Sequence, residues 1–257
     1  MIPFRTTAPG ARMPVITMGL ILANAAVFLY QIDLSPRAEM HFIYTYALVP
    51  AVYGNPDLAR HAGLDPHNYW PLLTNTFMHG GWVHLIFNMW TLWLFGSPVE
   101  GRMRPLRFLV FYLLCGLVGS LGHLFANLSS TVPALGASGA IAGLLGGYAR
   151  LFPGAKVTLV FPIVIIPFIF SVPAIAFTAL WFGLQVWQGM EAMNAASGAG
   201  GIAWWAHIGG FLAGLALIAA MGGRPWQAPP PPPRSRLVTP SGIRMRRGPW
   251  NRRGPWG

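Results

Sequence analysis

The sequence predicts an all-α membrane protein that crosses the bilayer six times. Of its 257 residues, 54% are hydrophobic and only 9% are charged, whereas soluble proteins carry about 25% charged residues. A soluble chain this apolar could not cover its surface with polar groups, but lipid tails readily solvate apolar side chains. The composition therefore favours one membrane domain, at residues 14–222, between an N-terminal arm at 1–13 and a polar tail at 223–257.

Six apolar runs are the candidate spans, at residues 14–31, 82–96, 106–126, 138–152, 172–188 and 204–221. A spanning helix needs about 20 residues to cross about 30 Å of hydrocarbon. No small-residue cleavage site follows the first run, so we expect it to be retained rather than removed as a signal peptide. The apolar stretch 157–170 is interrupted by prolines, which predicts a loop at the membrane interface before the fifth span.

The basic residues test this topology. With six spans, fifteen of the seventeen lysines and arginines fall on one side of the membrane, together with both termini, and only Arg37 and Arg60 fall on the other. Basic residues concentrate in cytoplasmic loops of membrane proteins. We therefore expect both termini in the cytoplasm, and we expect a bacterial plasma membrane.

The longest loop and the tail differ in composition. The loop at residues 33–81 holds four of the six acidic residues and several aromatic residues, which predicts a structured segment at the membrane interface. The tail contains five consecutive prolines at 229–233 and repeats Arg-Arg-Gly-Pro-Trp, which predicts disorder. Its positive charge is explained by contact with anionic lipid, so a nucleic-acid partner is not expected.

Polar side chains within the spans need a partner or a function, because lipid solvates them poorly. The predicted spans contain no acid, which argues against a carboxylate proton relay and against an aspartyl protease, whose two acids share a proton. A lone cysteine, Cys115, predicts neither a disulfide nor a metal site, and we expect no metal or cofactor. The polar residues that call for an explanation are His84, Asn88, His123, Ser138 and His207.

Ser138 lies in Gly-Ala-Ser-Gly at the start of the fourth span, which is short. Its 15 residues would rise about 22 Å, less than the hydrocarbon thickness. The serine would then sit below the outer surface at a helix N-terminus, where unpaired N–H groups favour a developing negative charge. The pattern is also compatible with an ordinary helix cap.

His207 begins the sixth span and precedes Gly210 and Gly214, a spacing that lets helices pack closely. The fourth span offers a matching smooth face of glycines at 139, 143, 146 and 147. Such packing would bring His207 to Ser138, and a serine nucleophile requires a base within hydrogen-bond reach.

His84 and Asn88 are four residues apart in the second span, so they share one helix face. Both side chains can donate hydrogen bonds. Taken alone, they could equally be a polar pair that joins two helices.

Together, His-Gly-Gly-Trp-Val-His84-Leu-Ile-Phe-Asn88-Met, Gly-Ala-Ser138-Gly and Ala-His207-Ile-Gly-Gly resemble the rhomboid family of intramembrane serine proteases, over about residues 12–222. The resemblance implies a six-helix fold and transmembrane protein substrates. It implies that Ser138 attacks the scissile carbonyl and His207 takes its proton, without a third acid. It also implies an oxyanion hole formed by His84, Asn88 and the backbone N–H of Ser138, and a structural role for His79.

Two positions depart from the family pattern. Pro71 follows Trp70 where the family often has arginine, so the first loop must be held differently. Ala142 stands where several members have an aromatic ring that stacks on the catalytic histidine, so another group must support His207. We expect His123 to be a packing or hydrogen-bonded residue. Residues 194–201 could form a mobile cap over the site or a plain flexible loop.

Two alternatives to proteolysis stay open at the level of sequence. Inactive rhomboid-like proteins that bind and escort membrane spans usually lose the serine or the histidine, and both are present here. A small transporter or channel would carry charged or broken helices near the midplane, and the sequence has neither.

Overall fold

A computed structural model describes residues 2–163, 166–194, 203–221 and 224–226, and these described residues are mostly helical. They belong to one compact unit, Met1–Trp226. The predicted tail beyond Trp226 and the predicted cap at residues 195–201 lie outside the described residues.

The elements follow in chain order. A short strand, β1 (Ile2–Thr6), precedes α1 (Val15–Asp33), and the first loop holds α2 (Pro36–Tyr46), α3 (Pro50–Gly54), α4 (Pro56–His61), α5 (Pro71–Thr74) and a 3₁₀ turn at Asn75–Phe77. Next come α6 (Trp82–Met103), α7 (Pro105–Ala126) and α8 (Ser138–Leu151). A hairpin of β2 (Lys156–Ile163) and β3 (Ile166–Pro173) leads to α9 (Ala174–Asn194) and α10 (Trp204–Ala220).

A helix lies over each of the six predicted spans. Among the described residues, α1 and α7 are long and apolar enough to cross a membrane by length and composition, and α10 is apolar but shorter. The 14 residues of α8 rise about 21 Å, which is short of the hydrocarbon thickness. The six-span topology therefore stays a prediction.

The all-α expectation is wrong in one respect, because the chain also forms a small antiparallel sheet with strand order β1-β2-β3. The predicted interfacial loop at 157–170 is mostly this hairpin, and the N-terminal arm supplies the third strand. Alternation explains the sheet: Val157 and Leu159 are buried, whereas Thr158 lies between them and bonds Ser171 across the strands at 2.9 Å. β1 pairs only as far as Val160, so a proline at position 162 costs no bond to β1.

α8 is the centre of the molecule, and nearly all of its residues are buried. α10 packs against it so closely that a Cβ built on Gly210 would collide with the carbonyl oxygen of Gly139, and one on Gly214 with that of Gly143. This is the contact that the glycine spacing predicts, except that Gly147 faces Phe111 of α7 instead.

The first loop is structured, as its composition predicts, and it holds the segment before α8. Leu48 and Ala134 form a two-way backbone bridge, with N···O distances of 3.0 and 2.8 Å. The side chain of Asn75 donates to Ser120 Oγ on α7 at 2.9 Å, and its backbone carbonyl accepts from the N–H of Gly136 at 2.9 Å. Two hydrogen-bonded anchors therefore position the chain just before Ser138.

Candidate active site

Ser138 is the first residue of α8 and is half-buried. The backbone N–H of Ile141 makes the first helical bond, to Ala137, so the N–H groups of Ser138, Gly139 and Ala140 have no helical partner. The serine hydroxyl thus lies beside N–H groups that have no partner among the described residues, at the positive end of a buried helix, which suits the binding of an oxyanion.

Ser138 and His207 are in contact. Oγ of Ser138 lies 2.8 Å from Nε2 of His207, which is in the first turn of α10 and nearly fully buried. They are 69 residues apart in the chain, and the close approach of α8 and α10 at their glycines brings them together.

Gln185 of α9 contacts the other ring nitrogen of His207, although none of the sequence motifs includes it. Its Oε1 lies 2.7 Å from Nδ1, and the glutamine is 6% exposed. A carbonyl oxygen can only accept a hydrogen bond, so Nδ1 carries the proton. Nε2 is then free to accept the hydroxyl proton of Ser138. The sequence feature that points to Gln185 is a polar amide side chain within an apolar helix, because such a side chain needs a hydrogen-bond partner.

Two tryptophans pack around His207. The ring centroid of Trp181 lies 5.9 Å from the imidazole, and Trp204 meets it edge-on at 6.0 Å and 86°. Ala142 is fully buried in α8. The support that the sequence leaves open at Ala142 therefore comes from α9 and from the start of α10.

His84 and Asn88 both face the loop before Ser138. A Cβ built on Gly136 would lie 2.7 Å from Cε1 and 2.8 Å from Nε2 of His84, and 3.8 Å from Nδ2 of Asn88. Gly136 has φ of +130°, which also favours glycine. The N–H of Gly80 donates weakly to Nδ1 of His84 at 3.5 Å, which leaves Nε2 as the donor toward the loop.

The amide nitrogen of Asn88 is buried and has no hydrogen-bond partner within the described residues. An unpaired buried donor costs about 1–3 kcal/mol, so the unpaired Nδ2 of Asn88 calls for an explanation, such as an acceptor that binds there during function. Asn88 is therefore a candidate to bind an acceptor that arrives beside Ser138.

The remaining histidines near the site differ in surroundings. His79 is fully buried; burial, with His84 beside it, lowers the pKa of His79 to about 4, so the ring is neutral. His123 accepts from Asn127 Nδ2 at 3.4 Å and lines a small cavity next to Ser138. In the part of the chain that the structure describes, neither forms a hydrogen bond with Ser138 or His207.

Pro71 is the first residue of α5, in the loop that supports the site. Its carbonyl accepts from Asn75 Nδ2 at 2.5 Å. The loop is therefore held through the backbone at the position where the family often has arginine.

No group of three or more His, Cys, Asp or Glu side chains in the described ranges is arranged to hold a metal ion.

A family model and three relatives that match this chain all carry the name rhomboid. A family model described as the Rhomboid domain matches residues 66–224. The chain is 34% identical over 148 residues to rhomboid protein 1, mitochondrial, of Saccharomyces cerevisiae, which covers 56% of this chain and 39% of that protein.

Two further relatives align over other shares. RHOMBOID-like protein 4 of Arabidopsis thaliana is 34% identical over 156 residues, 58% of this chain and 33% of its own. Rhomboid protease GluP of Bacillus subtilis is 44% identical over 78 residues, 30% of this chain and 15% of its own. The chain thus spans less than half the length of each of these relatives.

Proposed function

Because the chain belongs to the rhomboid family of membrane-embedded proteases, we propose that it cleaves peptide bonds in transmembrane segments of other proteins. Ser138 is the nucleophile and His207 its base. The observation that carries the proposal is the 2.8 Å contact between Oγ of Ser138 and Nε2 of His207, in a buried site. Direct proton transfer needs a heavy-atom distance of about 2.6–3.2 Å.

The reaction follows from the protonation of the pair. As Oγ attacks the scissile carbonyl carbon, its proton passes to Nε2, and the imidazolium keeps its other proton on Nδ1. Nε2 then protonates the leaving amine nitrogen, which leaves an acyl-enzyme. Water attacks the ester, gives its proton to Nε2 and releases the new carboxylate, and the proton returns to Oγ.

Charge on the carbonyl oxygen needs donors, and three groups supply them in this proposal. They are the backbone N–H of Ser138, Nε2–H of His84 and Nδ2–H of Asn88. Two observations support this role: Nδ2 of Asn88 has no partner among the described residues, and both side chains lie close to Gly136. One such donor contributes about 3–4 kcal/mol to the transition state.

The membrane topology is part of the proposal. Helices α1, α6, α7, α8, α9 and α10 each cross or enter the bilayer, both termini are cytoplasmic, and the membrane is a bacterial plasma membrane. The asymmetry of the basic residues supports the orientation, and the Bacillus subtilis relative is a bacterial protein. Other relatives are mitochondrial proteins. Reporter fusions at both termini in bacterial cells test the orientation of the helices.

Cleavage assays in detergent and in vesicles test the chemistry. Ser138→Ala and His207→Ala are expected to abolish cleavage of a panel of membrane-anchored substrates, and a fluorophosphonate is expected to label the wild type at Ser138. Ser129→Ala is the matched control, because it removes the same hydroxyl from an exposed position. Cleavage by folded Ser138→Ala at the wild-type rate would refute the proposal.

A further inference from the structure

The side chain of Gln185 is held in one orientation by its own helix. Its Nε2 donates to the backbone carbonyl of Trp181 at 3.4 Å, and a carbonyl can only accept. The amide oxygen is therefore the atom that faces His207, at 2.7 Å from Nδ1. Because the glutamine is buried, little water competes for this bond.

The contacts of α9 with α10 repeat at helical spacing around Gln185. Trp181, Gln185 and Gly189 are four residues apart and share one face of α9. Trp181 packs on His207 and Phe211. A Cβ built on Gly189 would lie 3.4 Å from Cβ of Trp204, so the helices are already close there.

From this geometry we infer that Gln185 is a positioning residue that holds His207 as the Nδ1–H tautomer, with Nε2 directed at Ser138. The inference rests on the proposed function and adds a third group to the pair. The Nδ1–H···Oε1 bond is kept when Nε2 takes the serine proton, so the amide holds the ring in place through both transfers. The amide is neutral, so it orients the imidazolium without the charge of a carboxylate.

The bond also links the protonation of the site to the position of a helix. Gln185 is on α9, whereas Ser138 and His207 are on α8 and α10, so the tautomer is set only when α9 is seated against α10. A displaced α9 would leave His207 free to rotate or to carry its proton on Nε2. A protonated Nε2 cannot accept the proton of the serine hydroxyl.

Gln185→Met is the first test, because it keeps length and volume but removes the acceptor. We expect kcat to fall about 10-fold to 100-fold with KM nearly unchanged, since orientation of the base is lost and substrate contacts are not. The rate of fluorophosphonate labelling at Ser138 should fall in parallel, and this readout needs no peptide substrate. Gln188→Met is the matched control, at an exposed glutamine on the same helix.

Gln185→Glu is the second test and keeps the proposal testable if the methionine variant does not fold. A carboxylate facing Nδ1 stabilises the imidazolium, so activity should persist while the acidic limb of the pH–rate profile moves to higher pH. Among the described residues, His84 and His123 are the other titratable groups near His207, and both are unchanged in these variants.

The outcomes separate this inference from the proposed function. Wild-type kcat and labelling rate in folded Gln185→Met would overturn the inference, and so would a wild-type pH profile in Gln185→Glu. If Ser138→Ala is inactive in the same assays, the proposed roles of Ser138 and His207 still stand. Full activity in Ser138→Ala would overturn the proposed function itself.

Discussion

Glu100 on α6 accepts hydrogen bonds from both the hydroxyl and the backbone N–H of Thr17 on α1, at 2.7 and 2.8 Å. Its other oxygen accepts from the N–H of Ile16 at 3.0 Å. One carboxylate thus satisfies two of the unpaired N–H groups that begin α1. Glu100 is 2% exposed, and it joins two helices whose contacting residues are 83 and 84 positions apart in the chain.

Replacing Glu100 with alanine should destabilise the protein by about 2–4 kcal/mol, because bonds to a charged group are lost and buried N–H groups are left unpaired. Gln at this position keeps an acceptor and should cost less. Thermal unfolding in detergent measures both. Glu191→Ala, at an exposed acid of α9, is the control and should leave unfolding unchanged.

Asn88→Ala should lower kcat by about 100-fold to 1,000-fold, because one donor to the oxyanion is lost. The folded state should keep its stability or gain slightly, since a buried Nδ2 that has no partner within the described ranges disappears with the side chain. Steady-state cleavage and thermal unfolding separate the two effects. Thr91→Ala is the control on the same helix, because the Thr91 hydroxyl donates to the backbone carbonyl of Phe87 and not toward the loop before Ser138. A fall in kcat that is accompanied by a clear fall in the unfolding temperature of Asn88→Ala would contradict the oxyanion role.

Gly136→Ala should abolish cleavage, because the added methyl group would meet the His84 ring at 2.7 Å and φ of +130° strains any other residue. The loop must then move, and Ser138 moves with it. Fluorophosphonate labelling of Ser138 reports this directly. Gly154→Ala, where a new Cβ meets nothing within 4 Å, should label normally.

Gly214→Ala should destabilise the protein by about 1–3 kcal/mol, because its methyl group collides with the Gly143 carbonyl and forces α10 away from α8. The Ser138–His207 contact lies on the same interface, so activity should fall as well. Gly183→Ala on α9, where a Cβ meets nothing within 4 Å, should be neutral or slightly stabilising. Unchanged melting of Gly214→Ala would show that the two helices are less tightly packed.

The helices were predictable because apolar runs and their length are local properties. Ser138, His207, His84 and Asn88 were predictable because they lie in three motifs that together resemble the rhomboid family. Gln185, which is also a polar residue in an apolar run, lies in none of them. The glycine spacing also pointed to the contact of α8 with α10. Their catalytic roles stay predictions until the variants above are measured.

The sheet and Glu100 were missed for different reasons. The prolines at 162 and 167 favour a loop locally. Only the pairing of β2 with β1 and with β3 shows where these prolines are tolerated in the sheet. Glu100 lies beyond the predicted end of the second span, but α6 continues to Met103 and carries it to the start of α1.

Residue type and spacing along the chain are enough to specify which segments are helical and apolar, and which polar side chains those segments carry. The packing of the helices specifies what the side chains meet. Nδ1 of His207 faces Gln185, and Nδ2 of Asn88 lies near Gly136 without a partner among the described residues. Both arrangements arise because α6, α8, α9 and α10 converge from distant parts of the chain. A side chain's partner depends on this convergence, which no local pattern specifies.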